Sequence, residues 1–341
     1  MRLVVVGATG AVGSEMLAIL EDRDMGAGDI VAVASPRSAG RKIPFRDGQL
    51  TVLALEKDVF SEGDLALFDV PDDVSQRWAP VAVERGARVV DNSAAFRMDP
   101  QVPLVVPEIN ADVVHQAAKG IIASPNCTTL AAVVPLAALH ARVPLRRLIM
   151  SSYQAVSGSG KAGVDELWDQ TEIAAKEPDA IRGGTARDVL TPGATYSEPI
   201  AMNVLPLCGS VKEKGYTSEE LKLCRETRKI MDLPELPVTA TCVRVPVMVG
   251  HAVSVHAEFQ HQITPEQARE ILAGASGVEV RDEPDEGVVP TPLHAAGRDP
   301  CYVGRIRQDL FDPTALELFC VADNLRKGAA LNTVQVAELL A

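Results

Sequence analysis

The chain has 341 residues, of which 47% are hydrophobic and 23% are charged, enough for two domains with substantial cores. Its formal net charge of −13 argues against the phosphate backbone of a nucleic acid as a partner. No apolar run approaches the roughly 20 residues of a membrane span, and no signal peptide precedes the first strand, so no membrane partner is expected. Six scattered cysteines without zinc-like spacing predict reduced thiols, a cytoplasmic protein and no metal site.

A glycine pattern directly follows an apolar run at the N-terminus. Residues 1–6 predict a strand and residues 14–21 a helix, with glycines spaced G-x-x-G-x-x-G between them. Glycines allow a sharp turn, and the N–H groups at the helix start can bind a pyrophosphate. An ordinary strand–helix turn can show the same glycines, but this position favours a nucleotide. The predicted contacts are Gly7, Thr9, Gly10, Ala11, Val12 and Gly13.

The tip of the next predicted strand, residues 29–34, indicates which cofactor binds. An NAD site usually has Asp or Glu near this point, where the carboxylate holds the ribose hydroxyls. Here the strand is followed by Ser35, Arg37 and Ser38, without an acidic residue. A guanidinium beside two hydroxyls fits a 2′-phosphate, so we expect NADP rather than NAD. The alternative for Arg37 is a solvated loop arginine.

Short strands and helices continue to alternate up to about residue 125. Strands are predicted at 65–70, 88–91 and 120–123, and a helix at 74–85. This alternation is typical of an α/β fold with a Rossmann-type, doubly wound parallel sheet. Ligands of such a sheet gather at the carboxyl ends of its strands, so the glycine pattern and the tip at 35–38 are expected at that edge.

A cysteine stands where this pattern gives way to a predicted helix at residues 130–140. Asn126 is a candidate N-cap, which places Cys127 in the first turn. A thiol there feels the positive end of the helix dipole, so we expect its pKa to be lowered. The first-turn N–H groups can also stabilise an oxyanion, which suits attack on a carbonyl. Taken alone, the segment favours a buried structural cysteine, since free cysteine is among the most buried residue types.

The second half of the chain has a different texture. A strand is predicted at 147–153, and the alternating runs 239–247 and 252–260 are interpreted as antiparallel strands covered on one face. Helices are predicted at 160–175 and 218–231. The tail, 325–340, is predicted to be an amphipathic helix that packs back onto the nucleotide domain. The predicted domains are 1–127 plus 322–341 for NADP, and an α+β catalytic and dimerisation domain at 128–321.

The sequence resembles the bacterial aspartate-β-semialdehyde dehydrogenases over nearly its whole length. The resemblance implies a fold similar to that of glyceraldehyde-3-phosphate dehydrogenase, and a homodimer. It also implies reduction of 4-phospho-L-aspartate by NADPH to L-aspartate-4-semialdehyde and phosphate, a step in lysine, diaminopimelate, methionine and threonine biosynthesis. The matching segments are 7–13, 92–97, 125–129, 153–160, 219–222, 242–246, 250–251 and 323–325.

The resemblance also implies a role for each site residue. Cys127 would displace phosphate to leave a thioester, and His251 would transfer protons. Arg244 would grip the substrate α-carboxylate, unless it forms a surface salt bridge on its strand. Glu219 would bind the substrate ammonium or merely steady Lys222. The remaining implied contacts are Gln154 for substrate orientation, Arg97, Asn126 and Lys222 for phosphate, and Ser157, Gly158 and Asn324 for the nicotinamide end.

Two other functions remain open from the sequence. The first is N-acetyl-γ-glutamyl-phosphate reductase, which uses the same cysteine and histidine chemistry on a substrate one carbon longer. The stretch 242–246, which contains the carboxylate-binding Arg244, favours the aspartyl enzyme over this one. The second is a catalytically inactive NADP-binding regulator, which the presence of Cys127, His251 and the phosphate donors disfavours. Residues 170–215 show no site chemistry and are expected to form dimer surface.

Overall fold

The computed structural model describes residues 1–23, 25 and 28–341 and divides into two compact units. The first unit comprises residues 1–130, 225–234 and 325–341, and the second comprises residues 131–224 and 235–324. The first unit thus takes in the short segment 225–234, which the predicted boundaries assign to the second domain. No helix in the described part of the chain is long and apolar enough to cross a membrane.

The first unit is built on a six-stranded parallel sheet, as the alternating pattern predicts. Its strand order is β5-β2-β1-β6-β7-β8, and a small hairpin, β3–β4, stands beside it. The central strands are buried along their whole length, which is why they show continuous apolar runs without alternation. The elements are β1 (Leu3–Val6), α1 (Ala11–Asp22), β2 (Ile30–Ala34), β3 (Lys42–Phe45), β4 (Gly48–Thr51), β5 (Leu53–Ala54), β6 (Leu65–Phe68), α2 (Asp72–Glu84), β7 (Arg88–Asp91), α3 (Pro107–Asn110) and β8 (Ile121–Ala123).

The second unit contains a mixed six-stranded sheet in the order β10-β9-β11-β14-β13-β12. Two helices begin in one unit and end in the other, namely α4 and α8. The elements are α4 (Cys127–His140), β9 (Leu145–Gln154), α5 (Gly160–Lys176), α6 (Pro178–Gly183), α7 (Ala186–Val189), α8 (Ser218–Ile230), β10 (Val238–Arg244), β11 (His251–Phe259), α9 (Pro265–Ala273), β12 (Val278–Val280), α10 (Pro292–Ala295), β13 (Cys301–Gln308) and β14 (Ala315–Ala322).

One prediction for this sheet is wrong. The run 239–247 was expected to be an antiparallel strand, but β10 pairs in parallel with β9 and ends at Arg244. Alternation reports that one face of a strand is covered and carries no information on strand direction. The long helical connection from β9 to β10 permits the parallel pairing. The prediction for 252–260 is confirmed, because β11 runs antiparallel to both β9 and β14.

The C-terminal tail returns to the first unit, as predicted. A π-helical turn at Arg326–Ala330 leads into the last helix, α11 (Leu331–Glu338). Its apolar side chains lie in one core cluster with Met16 and Leu20 of α1. The turn differs from the continuous helix that was predicted. It surrounds the buried Lys327, whose Nζ donates hydrogen bonds to Glu108 at 2.7 and 2.8 Å.

Candidate active site

The glycine loop after β1 has a geometry that only glycine fits. Gly7 has φ +98°, and a Cβ added there would overlap the carbonyl oxygen of Asp69. A Cβ at Gly13 would likewise overlap the carbonyl oxygen of Gly7. Gly10 is the N-cap of α1 and provides no side-chain cap, so the first-turn N–H groups are available to a ligand. Gly10 and Ala11 are exposed, and the loop therefore fits a dinucleotide pyrophosphate.

The predicted 2′-phosphate contacts lie at the same edge of the sheet. β1 and β2 are parallel neighbours, and the N–H of Gly7 donates to Val33 near the end of β2 at 2.9 Å. A short 3₁₀ turn, Pro36–Ser38, follows β2. Ser35 and Arg37 are exposed there. An exposed guanidinium at this point can reach a ribose phosphate without first breaking a buried contact.

Cys127 is the first residue of α4, as the sequence predicts. The side-chain oxygen of Asn126 accepts hydrogen bonds from the N–H groups of Thr128 at 2.9 Å and Thr129 at 3.4 Å, so Asn126 is the N-cap. Cys127 is half-buried, whereas the other five cysteines are buried. Burial raises the pKa of the thiols of Cys242 and Cys320 above the ordinary value. Accessibility therefore separates Cys127 from the structural cysteines.

Arg97, one of the predicted phosphate ligands, lies in a buried ion pair. Its Nη1 donates to Glu226 at 3.1 Å, and its Nη2 donates to the carbonyl of Asn92 at 2.7 Å. The second carboxylate oxygen of Glu226 accepts a hydrogen bond from the backbone N–H of Asn126 at 2.6 Å. Two predicted phosphate ligands of the first unit are thus joined by Glu226, a residue that the sequence did not single out.

In the second unit, His251 and Arg244 meet at the backbone of Ala155. The N–H of Ala155 donates to His251 Nδ1 at 3.0 Å, and its carbonyl accepts a hydrogen bond from Arg244 Nη1 at 2.7 Å. A Cβ added to Gly158 would lie 3.0 Å from Arg244 Nη1 and 3.2 Å from His251 Nε2. Arg244, His251 and Gly158, three predicted site residues, are therefore packed together here. Any side chain at position 158 would crowd the guanidinium and the imidazole.

The environment of His251 fixes its protonation state. Burial, followed by the nearby charge of Arg244, lowers its pKa to about 3, so the ring is neutral at physiological pH. Because Nδ1 accepts a hydrogen bond, the ring proton belongs on Nε2. Nε2 is buried and has no hydrogen-bond partner among the described residues, and the same holds for Nε of Arg244. A buried polar atom without a partner is unusual and marks a place for a ligand.

The neighbouring predicted residues form a chain of contacts. Gln154 pairs in register with Arg244 across β9 and β10. Its Nε2 donates to Glu219 at 3.3 Å, and Lys222 Nζ donates to the other oxygen of Glu219 at 2.8 Å. The ion pair between Glu219 and Lys222 is thus present, as one of the two interpretations of Glu219 requires. A role of Glu219 toward a substrate ammonium stays a prediction.

The predicted nicotinamide contacts also lie together. Asn324 Nδ2 donates to Ser157 Oγ at 2.9 Å, and Asn324 Oδ1 accepts a hydrogen bond from the N–H of Gly250 at 2.8 Å. Gly250 directly precedes His251, so this cluster adjoins the histidine. His256, five residues further along β11, is half-buried and hydrogen-bonds Glu317 at 2.6 Å. It belongs to the other face of the sheet, as expected from the spacing.

The contact made by Glu226 was missed although a weak signal for it exists. Glu226 follows Glu219 and Lys222 at spacings that lie on one face of a helix. Nothing in that pattern identifies Arg97 as its partner, because the two residues are 129 positions apart. The role of Ala155 could not be predicted, because it acts through its backbone and any residue type supplies the same groups.

The fold and these residues define a semialdehyde dehydrogenase. The family model "Semialdehyde dehydrogenase, NAD binding domain" matches residues 2–117, and "Semialdehyde dehydrogenase, dimerisation domain" matches residues 136–327. An aspartate-semialdehyde dehydrogenase of Corynebacterium glutamicum is 49% identical, over 99% of this chain and 98% of the relative. One of Aquifex aeolicus is 44% identical, over 99% and 97%.

A solved structure indicates the same family. Aspartate semialdehyde dehydrogenase II of Vibrio cholerae, in a crystal structure complexed with ASA, superposes with a TM-score of 0.92 at 38% identity. The match covers 99% of this chain and 97% of that structure. The chain belongs to the aspartate-semialdehyde dehydrogenase family. The family resemblance inferred from the motifs is thereby confirmed, together with a nicotinamide cofactor.

Proposed function

We propose that the chain reduces 4-phospho-L-aspartate to L-aspartate-4-semialdehyde with NADPH, releasing phosphate. The observation that carries the proposal is the accessible thiol of Cys127 at the capped start of α4, in a chain whose other cysteines are buried. An acyl phosphate calls for a soft nucleophile that displaces phosphate and is itself displaced later. The names of the relatives indicate the aldehyde, aspartate semialdehyde, and the site residues indicate the chemistry.

The first half of the reaction belongs to Cys127. Its thiolate attacks the acyl carbon, the C–S bond forms, and the bond between carbon and the phosphate oxygen breaks. Cys127 lies at the N-terminal end of α4, where the positive end of the helix dipole is suited to stabilise the thiolate. Arg97, Asn126 and Lys222 are proposed to bind the departing phosphate. The product of this half is a thioester on Cys127.

His251 acts in the second half. A nicotinamide held by Ser157, Gly158 and Asn324 would supply hydride to the thioester carbon. The Nε2–H of the neutral imidazole donates a hydrogen bond to the former carbonyl oxygen and stabilises the charge that forms there. When the C–S bond breaks, the aldehyde is released and the thiolate of Cys127 is restored. Nδ1 of His251 accepts a hydrogen bond from the N–H of Ala155, so the imidazole keeps one orientation throughout the reaction.

Arg244 is proposed to hold the α-carboxylate. It lines a cavity of about 560 Å³ in the second unit, together with Ser159, Tyr196 and Cys208. The bond from its Nη1 to Ala155 fixes the plane of the guanidinium, so a carboxylate meets a preformed fork. A surface salt bridge, the alternative that the sequence left open, does not describe Arg244, which is 7% exposed.

We expect NADP to be preferred because Arg37 stands where an acidic residue would hold the ribose of NAD. Arg37→Ala should weaken NADPH binding at least tenfold and leave NADH binding nearly unchanged. A charge-assisted contact to phosphate contributes roughly 1.5–3 kcal/mol, which corresponds to such a factor. Fluorescence titration with both cofactors measures this, and equal losses for the two would remove Arg37 from the 2′-phosphate site.

A homodimer in the cytoplasm is part of the same proposal. The match to a dimerisation domain supports the dimer. So do the side chains of Ile149 and Tyr153 on β9, which are 39% and 41% exposed although they are large and hydrophobic. Tyr153 packs against Phe319 of β14 on the same sheet face. Light scattering should give a mass about twice that of one chain, and Tyr153→Glu should shift it toward the monomer. A wild-type monomer would contradict the dimer.

The substrate is tested by assaying the reverse reaction, with NADP and phosphate, on two aldehydes. L-Aspartate-4-semialdehyde should be oxidised at least a hundredfold more efficiently, in kcat/KM, than N-acetyl-L-glutamate-5-semialdehyde. The acetyl group removes the ammonium charge, and the longer chain moves the carbonyl away from the position set by Arg244. A preference for the acetylated aldehyde would replace the proposed function by the rival reductase, and inactivity on both would favour a regulator.

A further inference from the structure

The carboxylate of Glu226 connects two proposed phosphate ligands of the first unit. Glu226 is 1% exposed, and its two oxygens have different partners. One accepts a hydrogen bond from Arg97 Nη1 at 3.1 Å, and the other accepts one from the backbone N–H of Asn126 at 2.6 Å. A single buried anion therefore joins the guanidinium of Arg97 to the backbone N–H of Asn126, the residue that directly precedes Cys127.

Both partners are held at a second point as well. Arg97 is 6% exposed, and its Nη2 donates to the carbonyl of Asn92 at 2.7 Å, which fixes the plane of the guanidinium. Asn126 accepts hydrogen bonds from the first turn of α4 through its side chain. Loss of the contact to Glu226 would leave Arg97 held by Asn92, and Asn126 held by the first turn of α4. The orientation of both phosphate ligands would then be less well fixed.

We propose that Glu226 is a positioning residue of the phosphate site. It holds Arg97 and Asn126 in the orientation in which they bind the phosphate group, so that the group meets donors that are already ordered. The carboxylate also balances the charge of Arg97 in a buried place, where an unpaired guanidinium would be costly. This inference rests on the proposed function and names a further residue of the same site.

Glu226→Gln is the informative variant. Glutamine has nearly the same shape but no charge, and its amide offers only one acceptor oxygen in place of two. Phosphate should slow the alkylation of Cys127 by iodoacetamide, and the half-maximal phosphate concentration should rise at least fivefold in the variant. The KM for phosphate in the oxidative reaction should rise by a similar factor, while the KM for L-aspartate-4-semialdehyde stays within twofold.

Glu220→Gln is the matched control. Glu220 is a buried carboxylate of the same helix, and it accepts hydrogen bonds from the backbone N–H groups of Thr217 and Cys242. Both variants should lower the melting temperature, but only Glu226→Gln should change the response to phosphate. Glu226→Asp, which keeps the charge but is too short to span both partners, should behave like Glu226→Gln and provides a second variant if the first does not fold.

A double-mutant cycle distinguishes the positioning of Arg97 and Asn126 from a general loss of structure. In an Arg97→Ala background, Glu226→Gln should raise the half-maximal phosphate concentration by a smaller factor than in the wild-type background, since only its contact to Asn126 remains to be lost. Independent effects, or a response to phosphate within twofold of wild type in Glu226→Gln and Glu226→Asp, would overturn the proposal. The alkylation readout needs no turnover, so inactivity of the wild type would count against the proposed function alone.

Discussion

At the scale of single residues, the environment of each cysteine and histidine decides its chemistry. Cys127 is the half-buried member of six cysteines, and His251 is a buried histidine while His256 is half-buried. The sequence identified Cys127 and His251 through their motifs. It could not show that Ala155 holds the ring of His251, because a backbone contact leaves no trace in residue type.

Arg244→Lys tests the carboxylate site. Lysine keeps the charge but loses the paired geometry of the guanidinium, so the substrate can pivot away from the line of attack by Cys127. We expect kcat/KM for L-aspartate-4-semialdehyde to fall at least tenfold, with a loss of about 1 kcal/mol in unfolding free energy from the altered bond to Ala155. Arg146→Lys, at an exposed arginine of β9 paired with Glu258, is the control and should retain activity. Full activity of Arg244→Lys would remove Arg244 from the substrate site.

The two histidines of β11 should respond to pH with opposite signs. Burial lowers the pKa of His251, so its unfolded form binds a proton first and stability falls as pH drops below about 6.5. For His256, burial lowers the pKa, but the hydrogen bond and charge of Glu317 outweigh it and the net pKa is raised. Its contribution is therefore fully present at low pH and is lost as pH rises through the raised value.

Urea unfolding at pH 5 and pH 7.5 measures this difference. On acidification, His251→Asn should lose less stability than the wild type, because the variant has no buried imidazole to protonate on unfolding. His256→Asn should lose more, because the wild-type gain from the Glu317 pair is missing. Equal pH dependence in wild type and His251→Asn would show that this imidazole is not held neutral in the folded protein.

At the scale of elements, the sequence predicted those features well that depend on local chemistry, namely buried strands and helix caps. The strand at 88–91 and the capped start of α4 agree with the structure at the level of single residues. The direction of β10 was missed because strand direction follows from the connection between strands. The π-helical turn before α11 was missed, and it contains Lys327, whose partner Glu108 lies 219 positions away in the sequence.

Gly13→Ala tests the glycine loop as an element. An added Cβ would overlap the backbone of Gly7 and Ala8, so β1 and α1 must move apart. We expect a loss of about 1–3 kcal/mol in unfolding free energy and at least tenfold weaker NADPH binding. Gly183→Ala is the control, because no atom lies within 4 Å of its added Cβ. Normal NADPH binding by Gly13→Ala would exclude a close approach of this loop to the cofactor.

At the scale of the whole molecule, the residues with predicted roles are distributed over the two units. The first unit supplies the glycine loop, Arg97 and Cys127, and the second supplies Arg244 and His251. The sequence assigned these roles through the family motifs. It did not anticipate that segment 225–234 belongs to the first unit, because a helix that begins in one unit and ends in the other has no compositional boundary. That segment brings Glu226 to Arg97.

The covalent role of Cys127 is tested most directly by a single-turnover experiment without phosphate. With L-aspartate-4-semialdehyde and NADP, the protein should release one NADPH per chain in a rapid burst and then stop, because the thioester has no phosphate to accept the acyl group. Mass spectrometry should locate one aspartyl group on Cys127, and added phosphate should restore turnover. Continuous turnover without phosphate, or a burst with no acyl group on Cys127, would contradict the proposed mechanism.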